Sequence, residues 1–250
     1  MERLEKIDED YLRKLLDAPA KTPKECLYIE TGKIPIRFII QRRRLMYWKH
    51  LVSVSQDRLI SKFYKTQTNS AAKGDWVVLL EKDKKDFDIN LVDDEVKQIS
   101  KKKFKRYVKE KTKQVAMKYL NQLKERHSKS KNLEFYDFNC KEYLKDRRIS
   151  QEEAKLMFKL RTRMVSVRCN FKNKYGNNLN CDLCKTNLDN QEHLLVCPVI
   201  KNSIPEFKKY KNVKYSDIFG TDDEVVSAAK IFYKITQERE RLHELLNISI

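Results

Sequence analysis

The stretch CDLCKTNLDNQEHLLVC, residues 181–197, spaces three cysteines and one histidine as Cys-x2-Cys-x8-His-x3-Cys. The two residues between Cys181 and Cys184 allow both thiolates to reach one ion from a tight turn. The three residues between His193 and Cys197 place these side chains on one face of a helical turn. Because Cys3His is a common ligand set for structural zinc, the sequence predicts a zinc ion bound by these four residues.

The residues around these ligands fit a small metal-stabilised module. Asp189 or Asn190 can cap the short helix that carries the histidine, and Leu194 and Leu195 can anchor that helix to the rest of the fold. Four protein ligands leave no position open for a substrate, so the predicted zinc is structural rather than catalytic. The alternative is a chance grouping of reduced cysteines, although three of the six cysteines fall within this one stretch.

Composition favours a helical chain with a substantial core. Hydrophobic residues make up 40% of the 250 residues, and four glycines and five prolines are few for a turn-rich sheet protein. Capping boxes are predicted at Thr22, Ser150 and Thr221. The predicted fold class is all-α, an array of helices with a small Cys3His zinc module near the C-terminus.

Hydrophobic periodicity gives the approximate helix bounds. The longest predicted helix lies within 97–131, where Phe104, Val108, Val115, Tyr119 and Leu123 form one apolar stripe. Irregular structure is expected at 83–95, 198–205 and 214–220. The other predicted helices cover 2–18, 23–31, a segment beginning at Pro35, 56–68, 76–83, a short turn at 143–144, 151–172 and a final segment after Thr221.

The chain is strongly basic, with 54 Lys plus Arg against 36 Asp plus Glu and a net charge of +18. Between residues 97 and 131, fourteen basic residues accompany only two acidic ones, a local net charge of +12. Between Ala154 and Asn180 there is no acidic residue at all. Pairing of charges at i,i+4 cannot explain such runs, so they indicate a polyanionic partner such as RNA or DNA.

Basic and aromatic residues in three segments are the predicted nucleic-acid contacts. Arginine suits bidentate contact with phosphate, lysine acts as a point charge, and aromatic rings can stack on unpaired bases. The alternatives are a solvated face for the lysines, core packing for the aromatics, and pairing of the arginines at 42–44 with Glu30 or Asp75. The predicted contact residues are Arg42, Arg43, Arg44, Lys101, Lys102, Lys103, Lys105, Arg106, Arg161, Arg163, Arg168, Phe171, Lys172, Lys174 and Tyr175.

Other sequence features bear on the compartment. No apolar run approaches the ~20 residues that a membrane-spanning helix needs, and the charged start of the chain is unlike a signal peptide. Beyond the predicted ligands, an odd number of cysteines remains: Cys26, Cys140 and Cys169. We therefore expect an intracellular, reducing compartment, either nuclear or cytoplasmic, and no membrane partner.

Four stretches, taken together, resemble the carboxy-terminal region of non-LTR retrotransposon polyproteins, downstream of their reverse transcriptase. They are YIETGKIPIRFIIQRRRLMYW at 28–48, KGDW at 73–76, FKLRTRMVSVRCNF at 158–171, and the cysteine cluster with QEHLL at 191–195. They occur in the family's order, and together they span residues 28–197, which is most of the chain.

The resemblance implies a role in target-primed reverse transcription, holding template RNA or target DNA near a polymerase domain in cis or in trans. Cys181, Cys184, His193 and Cys197 match the family's Cys-Cys-His-Cys module. The catalytic parts have no match, because the Asp-Asp pairs at 93–94 and 222–223 do not lie between strand-like runs, and no endonuclease motif follows Cys197. The chain is therefore expected to be non-catalytic: the tail of such a protein, a decayed copy or a repurposed one.

Charge and motifs divide the sequence into four predicted segments. These are a basic helical region at 1–130, an arginine-rich helical region at 131–178, the zinc module at 179–200 and a loop and helix at 201–250. One alternative function is a helical interaction module that docks a polymerase or another partner through its zinc site and a surface of Tyr47, Trp48 and Trp76. A hydrolase that uses a cysteine and a histidine is a poor alternative, because those residues have metal-ligand spacing.

Overall fold

The computed structural model describes residues 2–246, and over that range it contains helices and no β-strand. The predicted all-α class is confirmed, with the Cys3His group near the C-terminus. Short 3-10 helices lie at Glu142–Leu144, Arg168–Phe171, Pro205–Tyr210 and Tyr215–Phe219. The α-helices are α1 Glu2–Leu16, α2 Lys24–Thr31, α3 Ile36–Ser53, α4 Leu59–Asn69, α5 Trp76–Asp86, α6 Asp93–Gln98, α7 Lys101–Lys124, α8 Gln151–Arg161, α9 Lys172–Tyr175, α10 Gln191–Leu194, α11 Pro198–Ser203 and α12 Asp222–Leu245.

The chain packs as two compact units. Among the described residues, the first is built from 2–8, 33–123 and 135–138, and the second from 9–32, 124–134 and 139–246. These units are defined by packing, whereas the four segments predicted from the sequence were defined by charge and motif and stay predictions. Within 2–246, no helix is both long enough and apolar enough to pass through a bilayer.

Helix α3 is the centre of the first unit and packs against α4, α5 and α6. Its residues Phe38, Leu45 and Trp48 join side chains of α5, α6 and α7 in one apolar core. Leu80, Val96 and Phe104 are fully buried members of that core, each removed from water as the hydrophobic effect requires. The predicted helix from Pro35 is therefore the element on which this unit is assembled.

Trp48 belongs to that core and not to a docking surface. Its side chain is 0% exposed, and its Nε1 donates a hydrogen bond to Asp93 Oδ1 at 2.7 Å. The Tyr64 hydroxyl donates to the same carboxylate oxygen at 2.9 Å. The predicted partner surface of Tyr47, Trp48 and Trp76 thus loses its central member, because a ring without exposed area cannot contact a partner.

The buried stripe of α7 differs from the predicted one in its phase. Phe104 and Val108 are buried as predicted, but the stripe continues through Thr112, Ala116 and Leu120. Thr112 is accommodated because its hydroxyl donates to the Val108 carbonyl at 2.6 Å, which satisfies the only polar group it brings into the core. The helix ends at Lys124, so the basic residues from 125 to 131 lie beyond it.

The predicted helix 151–172 is wrong in length, because α8 ends at Arg161. Its start is correct: the Ser150 side chain accepts from the Glu153 amide, and the Glu153 carboxylate accepts from the Ser150 amide. At the other end, Arg163 has a φ of +54°, a conformation that no α-helix contains. The arginines at 161, 163 and 168 therefore do not share one helical face.

The predicted capping box at Thr22 is also wrong. Helix α2 has no side-chain cap at its N-terminus, and the Thr22 hydroxyl is buried without a hydrogen-bond partner among the described residues. Glu25, the expected capping residue, is 1% exposed and accepts a hydrogen bond from the Ser130 hydroxyl at 2.9 Å instead. The Glu25 carboxylate thus makes a tertiary hydrogen bond instead of a local cap.

Gly32 ends α2 as predicted, with a φ of +65° that glycine adopts without strain. It is also a point of close approach, because an added Cβ would meet the backbone of Asn139 and Cys140. The Lys141 amide holds this approach by donating to the Glu30 carbonyl at 3.0 Å. The position therefore requires glycine for two separate reasons.

We expect Gly32→Ala to destabilise the second unit by more than the ~1–3 kcal/mol that left-handed strain alone costs, because backbone atoms must also move. Urea denaturation followed by circular dichroism measures the loss. Gly74→Ala is the matched control, since Gly74 has a φ of +102° but open space around an added Cβ. Equal losses for the two variants would show that the close approach to Asn139 contributes nothing.

Candidate metal centre

Cys181 and Cys184 lie on a tight turn closed by backbone hydrogen bonds. The Cys181 amide donates to the Asn187 carbonyl at 2.7 Å, and the Lys185 amide donates to the Cys181 carbonyl at 2.8 Å. Lys185 has a φ of +60°, which reverses the chain direction within one residue. An antiparallel bridge between Asn180 and Leu188 closes the base of the turn. The turn brings both thiols into one small volume.

His193 and Cys197 come from the short helix that follows this turn. Asn190 caps α10, its side-chain oxygen accepting from the His193 amide at 2.7 Å. The Cys197 amide donates to the His193 carbonyl at 2.8 Å, so the two ligands lie one helical turn apart as predicted. Leu194 and Leu195 are 2% and 8% exposed, which confirms that they anchor the helix.

The four ligand atoms form one cluster, all within 4.8 Å of one another. The Sγ atoms of Cys181 and Cys197 are 4.0 Å apart, and Cys184 Sγ lies 3.3 Å from His193 Nε2. A tetrahedral ion with the usual Zn–S and Zn–N bond lengths requires separations of about 3.8 Å and about 3.6 Å. The donor set and its spacing therefore fit one tetrahedral metal ion, and the predicted cluster can hold one.

The hydrogen bond between Cys181 and Cys197 favours the thiolate form of Cys197 and the thiol form of Cys181. A hydrogen bond from the Cys181 thiol lowers the pKa of Cys197 to about 7, and the backbone N–H groups of Ile200 and Val199 act in the same direction. That shared hydrogen bond, together with burial, raises the pKa of Cys181 to about 12. Binding of a metal ion displaces the proton that remains on Cys181, because cysteine binds a metal ion as the thiolate.

Three side chains outside the ligand set join the cluster to the rest of the second unit. Arg239 of α12 donates to Asp189 Oδ2 at 2.7 Å, and that oxygen also accepts from the Arg168 amide at 2.8 Å. Gln191 Nε2 donates to the Leu160 carbonyl at 2.9 Å. Asp189 therefore does not cap α10, as was one predicted possibility. It is a buried anchor, and its partner lies fifty residues away.

No family model, curated protein or solved structure gives a significant match to this chain. The resemblance to the retrotransposon family therefore rests on the four stretches quoted above, and membership of that family stays a prediction.

The predicted contact residues on α3 differ in their surroundings. Arg43 is exposed and Arg42 is partly exposed. Arg44 pairs with Asp83 at 3.0 Å and donates to the Leu79 carbonyl at 3.2 Å. The alternative of internal pairing thus holds for Arg44, although the acid is Asp83 rather than Glu30 or Asp75. Arg43 is the member of this group most open to a partner.

The predicted contact residues on α7 all lie on its outer face. Lys101, Lys102, Lys103, Lys105 and Arg106 are exposed, and Lys109 extends the same surface. Within 2–246, the ion pairs made by α7 are those of Lys111 with Asp88 and Lys113 with Asp137. The six side chains that we call the α7 basic face thus have no internal counter-ion among the described residues.

Arg161 is the clearest departure from the predicted contact set. It is 7% exposed, its Nε donates to Glu30 Oε2 at 2.8 Å, and its Nη1 donates to the Ile218 carbonyl at 2.5 Å. The Tyr143 hydroxyl donates to the same Glu30 oxygen at 2.7 Å. Because its donors are used inside the fold, Arg161 is removed from the nucleic-acid contact set.

Arg168 is also largely committed within the protein. Its side chain is 13% exposed, pairs with Asp182 at 2.6 Å, and donates to the Asn178 carbonyl at 2.9 Å. It thereby supports the turn that carries Cys181. Arg163 is more open, 39% exposed and 3.6 Å from Glu192. Of the three arginines, Arg163 alone keeps a position suited to an external phosphate.

The residues after Arg168 form a basic, aromatic segment. Lys172 and Lys174 are exposed, and Phe171 and Tyr175 are partly exposed. The ammonium of Lys129 lies 5.2 Å from the centroid of the Phe171 ring, and the Arg168 guanidinium lies 5.1 Å from that of Tyr175. Both rings therefore lie among cations rather than in an apolar core. The sequence did not predict Lys129 as a contact residue, because it lies forty-two residues from Phe171 along the chain.

Proposed function

We propose that this chain is a non-catalytic nucleic-acid-binding region of retrotransposon type, stabilised by a structural zinc ion. The observation that carries the proposal is the α7 basic face. A solvated lysine face would normally include acids at i,i+4 positions, but Glu110 is the one acid on this 24-residue helix. Such an uncompensated row of cations attracts a polyanion and binds it through released counterions.

Zinc is the ion that best fits the cluster. Three thiolates and an imidazole in tetrahedral spacing are a zinc set, and thiolate ligands disfavour magnesium and calcium. With four protein ligands the ion has no site for substrate, so its role is to hold the segment from Cys181 to Cys197 folded. In that role it also positions the basic segment from Phe171 to Tyr175, which precedes the ligands directly.

The partner that we propose is template RNA or target DNA during target-primed reverse transcription, with a polymerase domain supplied in cis or in trans. The support is the α7 basic face together with the four quoted stretches. We place the protein in the nucleus or cytoplasm, where cysteines stay reduced. All six cysteines are free thiols in the described chain, and Cys26 is buried.

A salt titration of DNA binding tests this proposal. If about six phosphates are neutralised, the logarithm of the affinity for duplex DNA should fall with the logarithm of salt concentration at a slope of about −5. We expect Lys102→Glu, Lys105→Glu and Lys109→Glu together to bring the slope to about −2, since each lost phosphate contact removes about one unit. Filter binding at several salt concentrations measures both slopes.

The matched control changes the same net charge elsewhere. Lys14, Lys62 and Lys230 are exposed residues of α1, α4 and α12, and their joint replacement by Glu should leave the slope near that of the unmodified protein. A slope near zero for the unmodified protein would reject nucleic-acid binding. Equal effects of the two triple variants would show that net charge alone, and not the α7 basic face, attracts the polyanion.

A further inference from the structure

The second unit contains a cleft lined by five Lys or Arg residues and by no acidic residue. We call it the basic cleft and define it by Lys21, Lys129, Arg163, Asn170, Phe171 and Lys172. Its volume is about 590 Å³, within the range of ~300–1,000 Å³ typical of ligand sites. The lysines at 21 and 129 come from chain segments far from the arginine-rich stretch, so the cleft exists only in the folded protein.

Lys129 has an unusual position for a lysine. Its ammonium lies against the Phe171 ring and 3.1 Å from the Met164 sulfur, and none of the described ion pairs includes it. Burial lowers the pKa of Lys129, and the neighbouring Lys21 lowers it further. A cation that is partly removed from water beside another cation is costly. A bound anion would offset that cost.

Cys169 and Asn170, which line the cleft, are hydrogen-bonded to the segment that contains the metal ligands. The Cys169 amide donates to the Asp189 carbonyl at 3.0 Å. Asn170 Nδ2 donates to the Gln191 side chain at 2.9 Å and to the Val165 carbonyl at 3.0 Å. These two bonds hold the Asn170 side-chain amide in one orientation. The cleft thus combines phosphate-binding cations with an aromatic face and a fixed polar group.

We propose that the basic cleft binds an unpaired nucleotide of a single-stranded nucleic acid, with its phosphate against Lys21, Lys129 and Lys172 and its base against Phe171. This inference deepens the proposed function, on which it rests. A single strand is favoured over a duplex because base faces are free to stack on a protein ring only when they are unpaired. The six side chains of the α7 basic face are all lysine or arginine, so they contribute contact with phosphate.

Fluorescence anisotropy with two probes tests the inference on the full-length, zinc-loaded chain. The probes are an oligothymidylate of about eight nucleotides, within the usual site size, and a duplex of similar length. We expect Phe171→Leu to weaken single-strand binding by about 5- to 100-fold, the range that loss of one stacked base gives. Duplex binding should change less than about twofold. Tyr136→Leu is the control, since Tyr136 is an 80% exposed aromatic residue outside the cleft.

A second variant distinguishes a loss of binding from a loss of the fold. Lys172 is exposed, so Lys172→Gln should fold normally and still weaken single-strand binding by several-fold. If both variants leave single-strand binding unchanged, or weaken the two probes equally, the cleft is not a single-strand site. Displacement of the oligothymidylate by inorganic phosphate at matched ionic strength would also overturn it, by showing a simple anion site. These failures leave the proposed function standing, whereas absence of binding to both probes would reject the proposed function itself.

Discussion

Removal of the metal should unfold residues 177–200 while the first unit keeps its structure. A structural zinc site contributes an apparent ~10–16 kcal/mol at neutral pH, as much as the ~5–15 kcal/mol net stability of a whole domain. The segment has few apolar side chains that could hold it otherwise. We expect elemental analysis to find one zinc per chain, and a strong chelator to remove both the metal and the local fold.

Hydrogen exchange identifies which residues unfold when the metal is removed. The amides of Cys181, Asp189 and Cys197 donate to backbone carbonyls inside the module at 2.7–2.8 Å, so they should exchange slowly in the zinc-loaded protein. Chelation should abolish their protection. Amides in the middle of α3, whose core residues Leu45 and Trp48 are fully buried, should stay protected. Persistent protection of the module amides in metal-free protein would contradict a metal-dependent fold.

Cysteine variants separate ligation from general thiol chemistry. Cys181→Ser, Cys184→Ser and Cys197→Ser should each lose most of the bound zinc, because serine is a poor zinc ligand at neutral pH. Cys169→Ser is the matched control: Cys169 is a free thiol close to the module but outside the ligand cluster. If Cys169→Ser lost as much zinc as the other three, the assigned ligand set would be incorrect.

The features that the sequence predicted well are local. The metal ligands fall within seventeen consecutive residues, so their spacing alone brings them together. The Ser150 capping box and the Gly32 helix end are likewise decided within four residues. The apolar stripe of α7 was predicted in part: Phe104 and Val108 are buried, and Val115 and Tyr119 pack partly buried against the core. The buried Thr112 was not predicted, because burial of its polar hydroxyl depends on a hydrogen bond to the Val108 carbonyl.

The features that the sequence could not predict are long-range polar pairings. Lys49 is 7% exposed because its ammonium donates to the carbonyls of Val96 and Lys97 at the end of α6. Asp189 is buried because it meets Arg239. Neither pair has a signal in the local sequence, since a lysine on an amphipathic helix normally faces water. The basic cleft has the same origin, because Lys21 and Lys129 reach it only through tertiary packing.

Replacement of Arg161 by Met should cost about 3–5 kcal/mol of stability, the usual loss when one partner of a buried ion pair is removed. Glu30 is 0% exposed and would be left with the Tyr143 hydroxyl as its remaining side-chain donor. The Ile218 carbonyl would lose its donor as well. Urea denaturation with the zinc-loaded protein measures the change in the free energy of unfolding.

Two further variants make this result specific to the buried pair. Glu30→Gln combined with Arg161→Met should recover part of the loss, because no unpaired charge is then left inside. Arg148→Met removes an arginine that pairs with Asp146 and Asp223 at 2.6–2.7 Å but is half exposed. Its loss should be much smaller, since water screens exposed pairs.

Nucleic-acid affinity then separates the two roles that Arg161 could have. If it contacted phosphate, Arg161→Met would weaken binding with little effect on stability, and its salt slope would be reduced by about one unit. The burial of its guanidinium against Glu30 requires the opposite result, a large loss of stability with unchanged affinity of the folded fraction. The outcome shows which residues between Ala154 and Asn180 contact nucleic acid. They are either all of its arginines or chiefly Arg163 and the lysines that follow.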